Sequence, residues 1–233
     1  VLLKGSGKLA SGIVTNLLQS SASVWWQSPN RNVDGRLTAA LAADCEKHGS
    51  TPVNITNLFF VNEIAGDMEV DLAVCITEED LEVKRSALLS LDLLLPRETI
   101  IAVNTASFTL SQLQEAARHP ERIIAVNWSD PAYTTAFLEI IGNEITSDVI
   151  LRSVEKNAVD HWHKDPYILK CDYSTHARFM AALTREAFYL VENGYASIDD
   201  IDSACRNDAG YYLPFDGNCR YMDLMGTYAY GLV

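Results

Sequence analysis

Glycines near the amino end of the chain are the first residues whose spacing points to chemistry. Residues 1–4 (VLLK) are typical of a strand, and the pattern Gly5-x-Gly7-x-x-Ala10 follows at once. In such a loop the first glycine permits a tight turn, the second lets a phosphate approach the backbone, and a small third residue lets the next helix pack closely. That helix is expected over residues 8–20, with free N–H groups at its start. We therefore predict a dinucleotide-binding loop. It comprises Gly5, Ser6, Gly7, Lys8, Leu9 and Ala10.

The residue after the second predicted strand, residues 23–27, bears on the form of the cofactor. An acid is expected there, because it holds the 2′-hydroxyl of the adenosine ribose. The chain instead has Ser28, followed closely by Arg31. Ser28 with Arg31 would accept a 2′-phosphate, which favours NADP; the alternative is a site that has lost its hold on the ribose. The expected cofactor is NAD or NADP, with NADPH binding at least as well as NADH.

Strands and helices must alternate to position this loop. The apolar pattern predicts further strands at residues 71–76, 99–103, 122–128, 136–141 and 167–171. It predicts helices at 33–48, 79–95 and 109–118, the second opened by a capping box of Thr77 and Asp80. After residue 172 only helices follow, one over 174–193 and one capped by Ser197 with Asp200. The pattern indicates an α/β Rossmann-type domain, residues 1–172, followed by a smaller all-α domain, residues 173–233.

Composition excludes some classes of function. The formal charge is −13, from 18 basic and 31 acidic residues, which argues against nucleic-acid binding. The five cysteines include no C-x-x-C pair, as expected for reduced thiols in the cytoplasm. We find no signal peptide or spanning helix, and so expect a soluble protein without a membrane partner. His161 and His163 have metal-ligand spacing but no evident third ligand, so no metal is expected.

Further segments occur in a fixed order along the chain. They are DLAVCITEEDLEVK (71–84), NTAS (104–107), PERIIAVNWSDP (120–131), LEII (138–141), TSD (146–148) and ASIDDID (196–202). Together with the glycine loop, they resemble the L-3-hydroxyacyl-CoA dehydrogenase family over nearly the whole chain. The resemblance implies oxidation of a 3-hydroxyacyl thioester to the 3-ketoacyl thioester in fatty acid metabolism. It also implies a homodimer formed through the helical domain, which here is expected to be incomplete.

The resemblance assigns cofactor positions residue by residue. Ala10 stands where glycine is usual, and Ser28 falls at the position of the ribose-binding aspartate. Glu79 and Lys84 match two cofactor-contacting positions. Without the resemblance, that pair would be interpreted as charges on a solvated helix face.

The catalytic positions depart from the family pattern. Asn127 replaces the acid/base histidine, and the serine that contacts the substrate hydroxyl falls on Ala106, next to Ser107 as the candidate substrate residue. The glutamate that orients the histidine is kept as Glu139, and His176 aligns with the active-site asparagine. Histidine and asparagine have thus exchanged places.

This exchange leads to a hypothesis and its alternatives. His176 would take the hydroxyl proton, Asn127 would bond the substrate oxygen, and Glu139 would hold Asn127 or a water. The alternative for His176 is a helix-start residue bonded through its backbone. For the whole chain, the alternatives are an oxidoreductase with weakened activity and a non-catalytic relative that binds a dinucleotide or an acyl-CoA.

Overall fold

One eight-stranded sheet organises the larger part of the chain, as seen in a computed structural model that describes residues 1–66 and 68–231. Its strands are β1 (Leu2–Gly5), β2 (Val24–Gln27), β3 (Leu58–Phe60), β4 (Leu72–Ile76), β5 (Ile100–Val103), β6 (Ile123–Trp128), β7 (Phe137–Gly142) and β8 (Asp165–Lys170). Their order is β3-β2-β1-β4-β5-β6-β7-β8, and every neighbouring pair is parallel except the antiparallel β6 and β7. Strands before β4 are added on one side of β1, and β4 to β8 are added on the other. The strand order therefore switches between β1 and β4, which is the point where doubly wound sheets bind ligands.

Helices connect the strands and cover both faces of the sheet. They are α1 (Lys8–Gln19), α2 (Arg31–Lys47), α3 (Leu81–Leu94), α4 (Leu110–Gln114) and α5 (Asp148–Asp160). One cluster of buried side chains joins alternate strand residues such as Val74 and Ile124 to α1 and α5. A second cluster joins Cys75 and Ile101 to α3 and α4. Because the central strands are buried on both faces, their sequences are continuous apolar runs.

The carboxyl-terminal helices follow the sheet. They are α6 (Thr175–Glu192), α7 (Ile198–Ala204), α8 (Gly210–Met225) and α9 (Thr227–Tyr230). Contacts divide the chain into one unit of Val1–Ala177 and a second that begins at Arg178. The expected Rossmann-type domain with a smaller helical domain after it is confirmed. No strand follows β8 in the described residues.

Some local predictions need correction. Asp80, and not Thr77, caps α3, because its carboxylate accepts the N–H of Val83 at 3.0 Å. The short β3 and the helix α5 were not predicted at all. The capping box of Ser197 with Asp200 is confirmed, since each side chain bonds the other residue's backbone N–H.

Candidate active site

The glycine loop has the geometry that a pyrophosphate requires. Gly5 has φ 139°, and a Cβ there would lie 1.8 Å from the carbonyl oxygen of Ile76, so only glycine fits between β1 and β4. Gly7 has φ 103°, and no atom lies within 4 Å of the place its Cβ would occupy. Helix α1 starts at the next residue without a capping side chain, so its first N–H groups remain available to an anion. Open backbone beside a free helix start fits the phosphates of a dinucleotide.

An acid that the sequence analysis missed lies beside this loop. The Gly7 N–H donates to Asp34 Oδ1 at 3.1 Å, and the Ser28 hydroxyl donates to Asp34 Oδ2 at 2.5 Å. The Arg31 guanidinium lies over the ring of Phe60, 5.0 Å from the centroid. The joint binding of a 2′-phosphate by Ser28 and Arg31 stays a prediction. The one signal in the sequence was an acid in the first turn of α2.

Glu79 and Lys84 hold the loop that follows β5. Lys84 is completely buried, with its Nζ 3.0 Å from Glu79 Oε2 and donating to the carbonyl of Asn104 at 2.7 Å. The interpretation as a solvated charge pair is therefore wrong for Lys84. Glu79 Oε1 accepts the N–H groups of Ala106 and Ser107 at 2.9 and 2.8 Å. Burial tends to raise the pKa of Glu79, but its bonds with Ser107 and Lys84 outweigh burial and lower that pKa.

Thr105 joins this loop to Asn127. Its hydroxyl donates to Glu79 Oε1 at 2.9 Å, and its N–H donates to Asn127 Oδ1 at 2.9 Å. Asn127 Nδ2 donates in turn to Glu139 Oε2 at 2.9 Å. Asn127 lies at the end of β6 and Glu139 lies opposite it on β7. The bond between Asn127 and Glu139 is the contact expected if Glu139 holds Asn127 and not a water.

Glu139 is fully buried and collects donors from the segment after β8. Its Oε1 accepts the hydroxyl of Tyr167 and the N–H groups of Thr175 and His176, each at 3.0 Å. Burial tends to raise the pKa of Glu139, but hydrogen bonds, that of Ser174 first, outweigh burial and lower its pKa. The carboxylate is therefore held ionised, and it fixes the start of α6.

His176 is tied to the network through its backbone, and its ring lies 4.6 Å from the ring of Phe137. The backbone bond agrees with the alternative of a helix-start residue, and the one described contact of the ring is with Phe137. Ser107 is exposed next to the same loop. The structure thus brings Asn127, Glu139 and His176 together, and their roles in proton transfer stay predictions.

Other candidate groups lie outside this network. His161 ends α5, and among the described residues no three metal-ligating side chains cluster. Within that same part of the chain, no helix combines the length and apolar content needed to cross a bilayer. Lys8 forms an exposed ion pair with Asp130 at 2.6 Å, so its side chain turns away from the loop backbone.

Comparison with known proteins follows the same division of the chain. Residues 1–170 match the model described as 3-hydroxyacyl-CoA dehydrogenase, NAD binding domain, and residues 175–229 match its C-terminal domain. The first match agrees with the geometry of the glycine loop, and the cofactor is accordingly NAD or NADP.

Individual relatives have low sequence identity to this chain but align with most of its length. L-carnitine dehydrogenase of Bacillus cereus is 26% identical over 219 residues, covering 88% of this chain and 64% of the relative. 3-Hydroxybutyryl-CoA dehydrogenase of Clostridioides difficile is 23% identical over 246 residues, covering 95% of this chain and 81% of the relative. The chain spans as little as 52% of another curated relative.

A solved structure supports the fold. The crystal structure of an NAD⁺-dependent 5-formyl-3-hydroxy-2-methylpyridine 4-carboxylic acid 5-dehydrogenase superposes with a TM-score of 0.89. It is 22% identical, and the match covers 99% of this chain and 77% of that one. The two family models between them account for nearly all of the sequence. The chain therefore belongs to the 3-hydroxyacyl-CoA dehydrogenase family.

Proposed function

We propose that the protein transfers hydride between NAD(P) and a 3-hydroxyacyl or 3-ketoacyl thioester, more slowly than a relative with histidine at position 127. The observation that carries the proposal is the Glu139 carboxylate, which binds the Asn127 side chain and the His176 backbone at once. A bound nicotinamide supplies the hydride acceptor. The protein must supply a proton acceptor, an oxygen-binding group and their alignment.

His176 is the proton acceptor in this proposal. An imidazole can accept a proton, whereas the amide of Asn127 cannot. Asn127 Nδ2 has one hydrogen bonded to Glu139, and its second hydrogen is the group that would bond the substrate oxygen. The imidazole ring packs against Phe137, and no described contact joins the ring to a carboxylate that would fix its tautomer. We expect weak activity because the proton acceptor is not held in one orientation.

The family model and the 3-hydroxybutyryl-CoA dehydrogenase relative support an acyl thioester as substrate. The names of other relatives, an L-carnitine dehydrogenase among them, extend the candidate substrates beyond thioesters. A rate assay with NAD⁺ and either 3-hydroxybutyryl-CoA or L-carnitine separates these classes. Formation of NADH with the thioester only supports the proposal. Formation of NADH with L-carnitine only would show that the substrate is not an acyl thioester.

A second candidate is a non-catalytic protein that binds a dinucleotide. It is favoured by the hydrogen bonds of Asn127, because both Oδ1 and Nδ2 already bind protein groups. His176→Ala distinguishes the two candidates, with His161→Ala as the control on an exposed histidine. Loss of turnover in His176→Ala alone supports catalysis. Dinucleotide binding without turnover in the parent supports the second candidate.

A homodimer is proposed for the helical unit. Every described residue from Arg178 onward is at least partly exposed, although many are large and apolar. Examples are Phe179, Leu183, Phe188, Tyr211, Phe215 and Leu224. So small a unit buries little apolar surface by itself, and an apolar surface of this kind marks an interface. The proposed occupant is a second copy of the same chain.

A reducing, cytoplasmic location is proposed from the thiols. All five cysteines are free, and burial raises the pKa of Cys75 to about 11, which keeps that thiol protonated. Free thiols persist in reducing compartments. Recovery of the tagged protein in the cytoplasmic fraction is expected, and its presence in an oxidising compartment would contradict this.

A further inference from the structure

We propose that Asp34 makes the cofactor site selective for NAD over NADP by fixing the direction of the Ser28 hydroxyl. Asp34 is a positioning residue in this proposal, because it is 1% exposed and acts through Ser28. The inference rests on the dinucleotide binding within the proposed function and not on hydride transfer. It reverses the expectation that NADPH binds at least as well as NADH.

The hydrogen bonds of Ser28 determine what it can offer a ligand. An ionised carboxylate only accepts, so the hydroxyl hydrogen is directed at Asp34 Oδ2, 2.5 Å away. The N–H of Asn30 donates to Ser28 Oγ at 2.9 Å and occupies one lone pair. One lone pair remains, so Ser28 presents an acceptor to whatever lies in front of it.

The place that Ser28 faces is the adenosine end of the site. Ser28 follows β2 and lines a cavity of about 400 Å³ together with Gly5 and Gln27. In doubly wound folds the end of the second strand contacts the 2′ position of the ribose. A 2′-hydroxyl can donate to the free lone pair of Ser28. A 2′-phosphate brings only acceptor oxygens and negative charge against that lone pair, with the Asp34 carboxylate directly behind it.

The cations nearby are held by other partners. Arg31 has its guanidinium over the Phe60 ring, 5.0 Å from the centroid. Lys4 lines the same cavity, and its Nζ donates to Gln27 Oε1 at 2.8 Å. If Lys4 recruited a 2′-phosphate instead, NADPH would bind more tightly than NADH, and the proposal would fail.

Asp34→Asn reverses the Ser28 hydroxyl with no change in size. The N–H of Gly7 needs an acceptor, so the oxygen of the introduced amide faces Gly7 and its NH₂ group faces Ser28. Ser28 then accepts from residue 34 and directs its own hydrogen toward the ligand. The same change removes the negative charge, so both effects favour a 2′-phosphate.

The experiment is a fluorescence titration with NADH, with NADPH, and with NADH that lacks the 2′-hydroxyl of the adenosine ribose (2′-deoxy-NADH). The parent is expected to bind NADH at least tenfold more tightly than NADPH, and Asp34→Asn is expected to reduce that ratio at least tenfold through tighter NADPH binding. Ser28→Ala should bind NADH only as well as the parent binds 2′-deoxy-NADH. Asp44→Asn, on the exposed side of α2, is the control and should match the parent.

Three results would overturn the proposal. They are a parent that binds NADPH as well as NADH, an Asp34→Asn variant that weakens both cofactors equally, and a parent that does not distinguish NADH from 2′-deoxy-NADH. The last comparison needs no variant, so it decides the matter even if Asp34→Asn does not fold. Selective NADH binding by a protein without dehydrogenase activity would support this inference while the proposed reaction fails.

Discussion

Asn127 and Glu139 are directly paired residues of the antiparallel strands β6 and β7, and a 2.9 Å hydrogen bond joins their side chains. The pairing fixes their separation through the backbone and not through a flexible loop. Glu139 stays ionised and aimed at position 127, although asparagine there cannot transfer a proton. Position 127 therefore has a carboxylate partner but no side chain that can exchange a proton.

Gly7→Val should weaken dinucleotide binding at least tenfold. The open space at Gly7 is where a pyrophosphate approaches the backbone, and a branched side chain would fill it. Gly49→Val is the matched control, because Gly49 also has positive φ and nothing within 4 Å of a Cβ. NADH titration of both variants measures the effect, and equal affinities would refute the assignment of the loop.

Glu139→Gln should lower the free energy of unfolding by about 2 kcal/mol at pH 7, because bonds to a buried charged acceptor are lost. The folded protein lowers the pKa of Glu139 below its ordinary value of 4.5. The stabilisation is complete above pH 4.5 and is lost as the pH falls through the lowered pKa. Urea unfolding from pH 7 to pH 3 should show a shallower loss in Glu139→Gln than in the parent. Exposed Glu144→Gln is the control, and identical acid profiles for both variants would contradict the prediction.

Lys164 should make stability rise at alkaline pH. Its buried Nζ donates to the carbonyls of Ala132 and Thr135, and burial lowers its pKa to about 8. Between pH 8 and 10.5 the unfolded chain holds the proton that the folded protein has released, so stability increases with pH. The parent should gain about 2 kcal/mol over Lys164→Met between pH 7.5 and 10. A constant difference between the two proteins would mean that Lys164 keeps its proton in the folded state.

Light scattering should give the mass of a dimer for the parent at micromolar concentration. Phe188→Glu places a charge on the exposed apolar surface of the helical unit and should shift the mass toward the monomer. Val149→Glu, at an equally exposed apolar residue of α5, is the control and should leave the dimer intact. A well-behaved monomeric parent would contradict the proposed interface.

The buried strands could be predicted from the sequence because both of their faces are apolar, as in Leu72–Ile76. The strand Leu58–Phe60 was missed because three residues carry too little pattern. Glu139 and its neighbours were found through the family resemblance. Asp34 was not found, because its bond with the Gly7 N–H joins residues 27 positions apart, which only the fold brings together.

Glu139 is proposed to orient whatever group stands at position 127. The direct test is kcat/KM for 3-hydroxybutyryl-CoA with NAD⁺ in the parent and in Asn127→His. An imidazole there would donate to Glu139 as Asn127 does now, and general acid–base catalysis contributes about 10²–10⁴-fold. We expect Asn127→His to raise kcat/KM by about 100-fold or more. An Asn127→His variant that folds, binds NADH and shows no increase would mean that Glu139 does not orient the group at position 127.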